Sequence, residues 1–281
     1  MYSIVIPCRN GSATLSDQLE ALLAQQHAAD VEIIVADNGS SDGTAELVRR
    51  FIEMDERIRL VDAGGRPGIN HARNVGILAS RGTAVLFCDA DDVVEPGWIE
   101  AHVRAFERGA DCVGGPLRRV LPNGMSDGTQ EAVSTLHRFH PWPPGANCGV
   151  RRDVFDRIGG FDESLRGGGD ETDFFWRAAE AGHPTTAVPE ALVEYRLREN
   201  LRAVSRQFFA YGRGTVRLFH RHGSRGMPRS LGWDLPAVIV VGVLQIVSAR
   251  PGSARRRRGV ERLASRAGRL VESMHSRTWY L

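Results

Sequence analysis

The stretch LFCDADDVVEPGW, Leu86 to Trp98, opens as a hydrophobic strand and then places three carboxylates in four residues, Asp89, Asp91 and Asp92. Like charges this close repel, and an unpaired charge is costly to bury. If the strand continues through Ala90, Asp89 and Asp91 point to the same side. Two carboxylates converging at a strand end suit a divalent cation with open positions for phosphate oxygens. The cation offsets their repulsion. The competing reading is a turn whose acids cap the helix starting near Pro96.

On both sides of this stretch the chain alternates. YSIVIP, VEIIVAD, IRLVDA, TAVLFCDA and ADCVGG read as strands. Between them, SATLSDQLEALLAQQ, GTAELVRRFIEM, INHARNVGILAS and PGWIEAHVRAFERG carry apolar residues at helical spacing. Such alternation predicts an α/β fold with a mostly parallel central sheet. Ligands of these sheets sit at the carboxyl ends of the strands. The polar clusters PCRNG, ADNGSSDGT and DADD fall there. From Gly115 to Gly145 the pattern reads as loop. RRDVFDRIGGFDESL and DETDFFWRAAEAGH restore helices, TTAVP and ALVEYRL read as strands, and everything after Leu201 reads as helical.

The 281 residues carry 36 basic and 34 acidic side chains, a net charge of only +2, and nothing global that points to nucleic acid. Every basic residue is arginine. The absence of lysine excludes a pyridoxal Schiff base, a Walker lysine and a kinase lysine. Cys8, Cys88, Cys112 and Cys148 form no C-x-x-C pair and read as buried free thiols in a reducing compartment. MYSIVIPCRN lacks the features of a signal peptide.

In ADNGSSDGT, Asn38-Gly39 gives a turn and Asp42 or Thr44 can cap the next helix. Asp37 is not needed for that. Its carboxylate can accept a hydrogen bond from a nucleobase imide N–H.

IVIPCRNG, VADNGSSDGT, GINHARNVGILASRG, LFCDADD, GANCGVRRDVFDRIGGFDESL and GGGDETDFFWRAAEAGH stand in the order and spacing of the family-2 glycosyltransferases, which Met1 to Arg198 resembles. The resemblance implies the GT-A fold and inverting transfer of a hexose from a nucleoside-diphosphate sugar. It implies Asp37 as a uracil- or thymine-binding residue and Pro7, Cys8 and Arg9 as the loop lining the base. Arg73 and Asn74 match its Arg-Asn pair near the nucleotide. Asp89, Ala90 and Asp91 match the D-x-D motif, with Asp89 near the ribose and Asp91, aided by Asp89, ligating Mg²⁺ or Mn²⁺. The donor is then a UDP- or dTDP-sugar. The family's acidic pair is usually Glu-Asp with Asp as base; here it is reversed, Asp170 then Glu171. By register Glu171 holds the base position, with Asp170 beside it. These acids, with Asp173, also suit a helix N-terminus, and Asp173 and Arg177 suit an i,i+4 pair.

Trp142 and Trp176 offer rings for stacking on a sugar face. With Asn147 and Asp173 they form the expected acceptor side. The acceptor is a hydroxyl of a saccharide, a lipid-linked saccharide or a natural product. The expected division is a nucleotide-sugar half at 1–114, an acceptor half at 115–200 and a helical region at 201–281. A sugar-1-phosphate nucleotidyltransferase fits less well, for want of a Gly-rich basic loop and a lysine. The remaining alternative, a nucleotide-sugar-binding protein with degenerate catalysis, rests on the reversed acidic pair.

Near the C-terminus, Val204, Phe208, Tyr211 and Leu218 line up on one helical face. Leu235 to Ala249 is uncharged and apolar; at about 1.5 Å per residue it falls short of the roughly 30 Å hydrocarbon core. It reads as a buried helix, with a dimer interface as one setting, or as an interfacial segment beside the arginine-rich ARRRRGVERLASRAGRL. The expected location is cytoplasmic, with peripheral membrane contact or a homodimer through 231–281 as the alternatives.

Overall fold

The computed structural model describes residues 1–250 and 252–281. Its core is a seven-stranded sheet. The runs predicted as strands form β1 (Tyr2–Cys8), β2 (Val31–Asp37), β3 (Ile58–Asp62) and β4 (Ala84–Cys88). They alternate with α1 (Leu15–Leu23), α2 (Thr44–Met54) and α3 (Ile69–Ala79). After the acidic cluster come the two-residue β5 (Val93–Val94), α4 (Trp98–Glu107) and β6 (Cys112–Gly114). β1 pairs in parallel with β2 on one side and β4 on the other. The order of connection reverses there, and the carboxyl ends of β1 and β4 are where sheets of this topology place their ligand. Ile4, Val5, Ile6, Val85 and Leu86 are fully buried, as expected for strands covered on both faces.

The segment read as loop, 115–145, contains structure. β7 (Leu117–Val120) and β8 (Ser126–Gln130) form an antiparallel pair, and Ser134 bridges to Trp142. Gly, Pro and Asn concealed these strands because β8 is short and mostly exposed. β9 (Asn147–Arg151), also unpredicted, enters between β4 and β6 and runs antiparallel to both. It is followed by α5 (Arg152–Ile158), α6 (Asp170–Glu180), β10 (Thr185–Ala187) and β11 (Val193–Arg196). The central sheet has the order β10-β6-β9-β4-β1-β2-β3 and therefore crosses the expected boundary at residue 114. A second sheet, β5-β11-β7-β8, stands beside it.

Three long helices follow: α7 (Leu201–His222), α8 (Leu235–Val247) and α9 (Ala254–Ser276). The face of α7 differs from the one predicted: Val204 and Leu218 are buried, but Tyr211 is 43% exposed. α7 turns Gly212, Gly214 and Thr215 inward instead. A Cβ on Gly212 would lie 2.0 Å from the Ser265 carbonyl oxygen, and one on Gly268 equally close to that of Phe209. Glycine lets the α7 and α9 backbones touch. Within the single chain the segment read as a buried helix, 235–249, is largely uncovered. Gly242 is the one buried residue of α8, while Val240, Leu244 and Val247 are 56%, 56% and 79% exposed. Among the described residues no helix is long and apolar enough to cross a membrane.

Candidate active site

The strand β4 ends at Cys88, so Asp89 and Asp91 do not share a strand face. A tight loop converges them instead. Oxygen atoms of Asp89, Asp91 and Asp92 all lie within 4.8 Å of one another. Gln18, fully buried on α1, shapes the loop: its amide donates to the Asp89 carbonyl at 3.0 Å and accepts from the Val94 N–H at 3.0 Å. Thr14 Oγ1 donates to the Ala90 carbonyl, leaving Ala90 buried under the loop. Burial, with Asp91 and Asp170 nearby, raises the Asp89 carboxyl to about 6 despite the opposing Arg73. Burial, then Asp89 and Asp91, pushes Asp92 well up too. Asp89 Oδ1 and Asp92 Oδ2 are buried without a protein hydrogen-bond partner. Two buried, unpartnered acid oxygens beside the more exposed Asp91 carboxylate fit a hard divalent cation, to which Asp89, Asp91 and Asp92 could offer oxygen ligands. Asp92 is an addition to the sequence reading. Its Oδ1 accepts from the Arg196 N–H at 2.9 Å. Asp91 is the exposed member and pairs with Arg198 at 3.6 Å. The Arg198 carbonyl accepts from Arg257 Nη1 of α9 at 2.7 Å.

At the ends of β1 and β2, Asp37 Oδ1 accepts from the Ser40 N–H and hydroxyl at 3.0 and 2.5 Å. Pro7 and Cys8 are buried, and Arg9 is exposed. Burial, then Asp37 and Asp42, pushes the Cys8 thiol up to about 12, which keeps it protonated and poorly nucleophilic. Hydrogen bonds between the first two motif loops, with Ser12 just beyond the first, hold this rim. Gly11 N–H donates to Thr44 Oγ1, the Ser12 N–H and hydroxyl donate to Asp42, and Asn10 N–H donates to Ser40 Oγ. Asp42 thus joins two loops as well as the start of α2.

Arg73 joins the donor acids to the acidic pair. Its side chain is 2% exposed, with Nη1 3.4 Å from Asp170 Oδ2 and Nη2 4.0 Å from Asp89 Oδ1. Nη2 also donates to the Gly145 carbonyl at 3.2 Å. Asn74 turns the other way. Its amide donates to the Phe161 carbonyl and to Glu163 and accepts from the Phe161 N–H, so it holds the GGFDE loop and is not free for a nucleotide.

The run Gly167-Gly168-Gly169 has φ of +76°, +140° and +76°, which favours glycine, and delivers the chain into α6 with Asp170 at its first position. Burial, then the adjacent Asp170, raises Glu171 to about 8 against the pull of Arg73.

The structure corrects the expected acceptor side. Trp176 is fully buried, and its Nε1 donates to the His140 carbonyl at 2.7 Å. Trp142 is 8% exposed and stacked under His137. Neither offers a free ring face. Asn147 is a structural hub: Oδ1 accepts from Trp98 Nε1 and His102, while Nδ2 donates to the Pro116 and Ala191 carbonyls. Asp173 is 1% exposed, held by Arg177 and His222 at 2.9 Å each. All four are buried and engaged with other protein groups.

A strand-end crevice with an acid cluster on one side and an acidic pair on the other, linked through a buried arginine, defines a nucleotide-sugar-dependent glycosyltransferase of the GT-A fold. Residues 3–161 match the model of glycosyl transferase family 2, and the chain belongs to that family. It is 28% identical over 231 residues to the glycosyltransferase AglE of Haloferax volcanii, covering 77% of this chain and 73% of that protein. It is 28% identical over 245 residues to the succinoglycan biosynthesis protein ExoA of Rhizobium meliloti, covering 80% and 71%. The mannosyltransferase PcManGT of Pyrobaculum calidifontis, solved with GDP-Man and Mn²⁺, superposes with a TM-score of 0.71 at 18% identity over 96% of this chain and 86% of that one. S. aureus TarS with UDP-GlcNAc gives 0.57 at 16% identity, covering 100% and 93%.

Proposed function

We propose that this enzyme transfers a sugar from a UDP- or dTDP-sugar to an acceptor hydroxyl with inversion at the anomeric carbon. The observation that carries the reading is Arg73, buried between Asp89 and Asp170. Asp89 and Asp170 lie on two sides of one guanidinium, which supports a donor's diphosphate near the first and its anomeric carbon near the second.

In this reading Asp37 orients the base. Its Oδ1 is engaged by Ser40, which leaves Oδ2 for an imide N–H. Pro7, Cys8 and Arg9 line the base, and Asp89, Ala90 and Asp91 form the diphosphate end. Asp91 and Asp89, with Asp92, would hold Mg²⁺ or Mn²⁺, which would supply charge neutralisation for the leaving diphosphate. Glu171 takes the acceptor's hydroxyl proton as that oxygen bonds to the anomeric carbon and the carbon–oxygen bond to the diphosphate breaks. A base poised near working pH is the efficient choice, and burial has moved Glu171 to about 8. Asp170 keeps Arg73 in place beside it.

The test is a panel of UDP-, dTDP- and GDP-sugars incubated with Mn²⁺ and simple glycoside acceptors, reading released nucleotide and product anomer. UDP or dTDP release with inverted product is expected. Exclusive use of a GDP-sugar removes the base assignment of Asp37. Binding with no turnover on any donor or acceptor removes the catalytic reading.

A further inference from the structure

Apart from Gln245, α8 is apolar throughout, and it buries only Gly242. Around it Leu231 and Trp233 are 54% and 88% exposed, and Trp279 is 51% exposed. A soluble helix normally hides its apolar stripe, and an exposed apolar surface of this extent marks an interaction site. Charge identifies the occupant. Between 231 and 281 there are nine arginines and three acids, Asp234, Glu261 and Glu272. All three acids are taken, by Arg266, Arg257 and Arg217 respectively among others. α8 packs on α9 at Gly259 and Leu263. Arg255 and Arg262 lie on the same stripe of α9 at helical spacing. Both are exposed, and neither meets a carboxylate among the described residues. A second copy of this chain would bring arginine against arginine with no free acid in the segment to receive it.

We infer that α8, framed by Arg255 and Arg262 of α9, is a docking surface for an anionic lipid bilayer, lying in the headgroup boundary and not spanning it. An apolar helix beside a basic one has the chemistry of an interfacial anchor. Its 13 residues extend about 20 Å, short of the roughly 30 Å hydrocarbon core.

The full chain is mixed with vesicles of phosphatidylcholine alone and of phosphatidylcholine with phosphatidylglycerol, and sedimentation and tryptophan emission are read. Of the five tryptophans, Trp98, Trp142 and Trp176 are buried, so an emission shift reports Trp233 and Trp279. Association with the anionic vesicles and a blue shift are expected. Leu244→Asp, at an exposed position, should abolish both while leaving melting temperature and donor hydrolysis unchanged. Arg255→Gln and Arg262→Gln should each weaken association about fivefold. No association with anionic vesicles overturns the inference, as does equal association of Leu244→Asp. A dimer mass that Leu244→Asp abolishes, without vesicle binding, assigns the surface to a second copy. Donor hydrolysis, measured in parallel, keeps this result separate from the catalytic reading.

Discussion

Arg73 and Asp170 face each other at 3.4 Å inside the protein, 97 residues apart in sequence, with the arginine side chain only 2% exposed. A guanidinium in that position is held by what surrounds it: Asp170, Asp89 and the Gly145 carbonyl. Removing it leaves two carboxylates without their counter-charge. Breaking a buried pair from one side typically costs about 3–5 kcal/mol. Arg73→Met is expected to lower the denaturant midpoint by a corresponding amount and to abolish transfer. Arg73→Lys should recover part of the stability but less of the activity, because an ammonium lacks the planar fork. Equal stability of Arg73→Met and wild type would contradict this.

The two members of the acidic pair should separate kinetically. A base acts only as the bond forms, so Glu171→Gln is expected to bind donor nearly normally and to lose about 10²–10⁴-fold in kcat. Asp170→Asn should lose less kcat and more stability, since it relinquishes the Arg73 contact. An inactive Asp170→Asn beside an active Glu171→Gln assigns the base to Asp170.

Glu171 also sets a pH dependence. Its ordinary value of 4.5 is raised to about 8, so the proton must leave before the carboxylate can accept another. kcat/KM should therefore rise with pH and level off above about 8. The folded state holds this proton more tightly than the unfolded chain. The stability it contributes is present below 4.5 and is lost as pH rises toward about 8. Glu171→Gln should flatten the fall in melting temperature over that window. A kcat/KM profile level through it removes Glu171 as the titrating base.

Donor binding should require the acid cluster and a cation together. Calorimetric titration of UDP is expected to show tight binding with Mn²⁺ and weak binding with EDTA. Asp91→Asn should resemble EDTA, because one ligand charge is lost at constant size. Identical affinity in Mn²⁺ and EDTA would sink the metal assignment.

Gly145 is a steric test of the same site. A Cβ there would lie 2.7 Å from Arg73 Nη2 and 3.3 Å from Glu171 Cγ. Gly145→Ala is expected to lower kcat by at least about tenfold by displacing both side chains, since small misplacements at reacting groups are expensive. Activity within twofold of wild type would show that about an ångström of movement is tolerated.

The first four strands and the acid cluster were legible because their signals are local: β-branched runs, helical spacing and carboxylates at a strand end. β9 was not, because its position between β4 and β6 is decided by pairing with distant strands. The roles of Trp142, Trp176, Asn147 and Asp173 escaped for the same reason. Each has the chemistry of a ligand-binding residue, and only packing reveals that Trp176 points at the His140 carbonyl and Asn147 at four partners. Gln18 left a faint trace, a glutamine on the apolar side of a short helix. The exposure of α8 left none, since composition alone cannot distinguish a buried helix from an uncovered one.

The hydrogen bond from Arg257 to the Arg198 carbonyl ties the last helix to the segment beside the acid cluster. The backbone that carries Arg198 over Asp91 cannot swing open without parting from α9. Shortening the chain before Ala254 would therefore do more than trim an appendage. It would free the backbone that carries Arg198 beside Asp91, and the residence time of a nucleotide bound at that acid cluster is expected to be the first property to change.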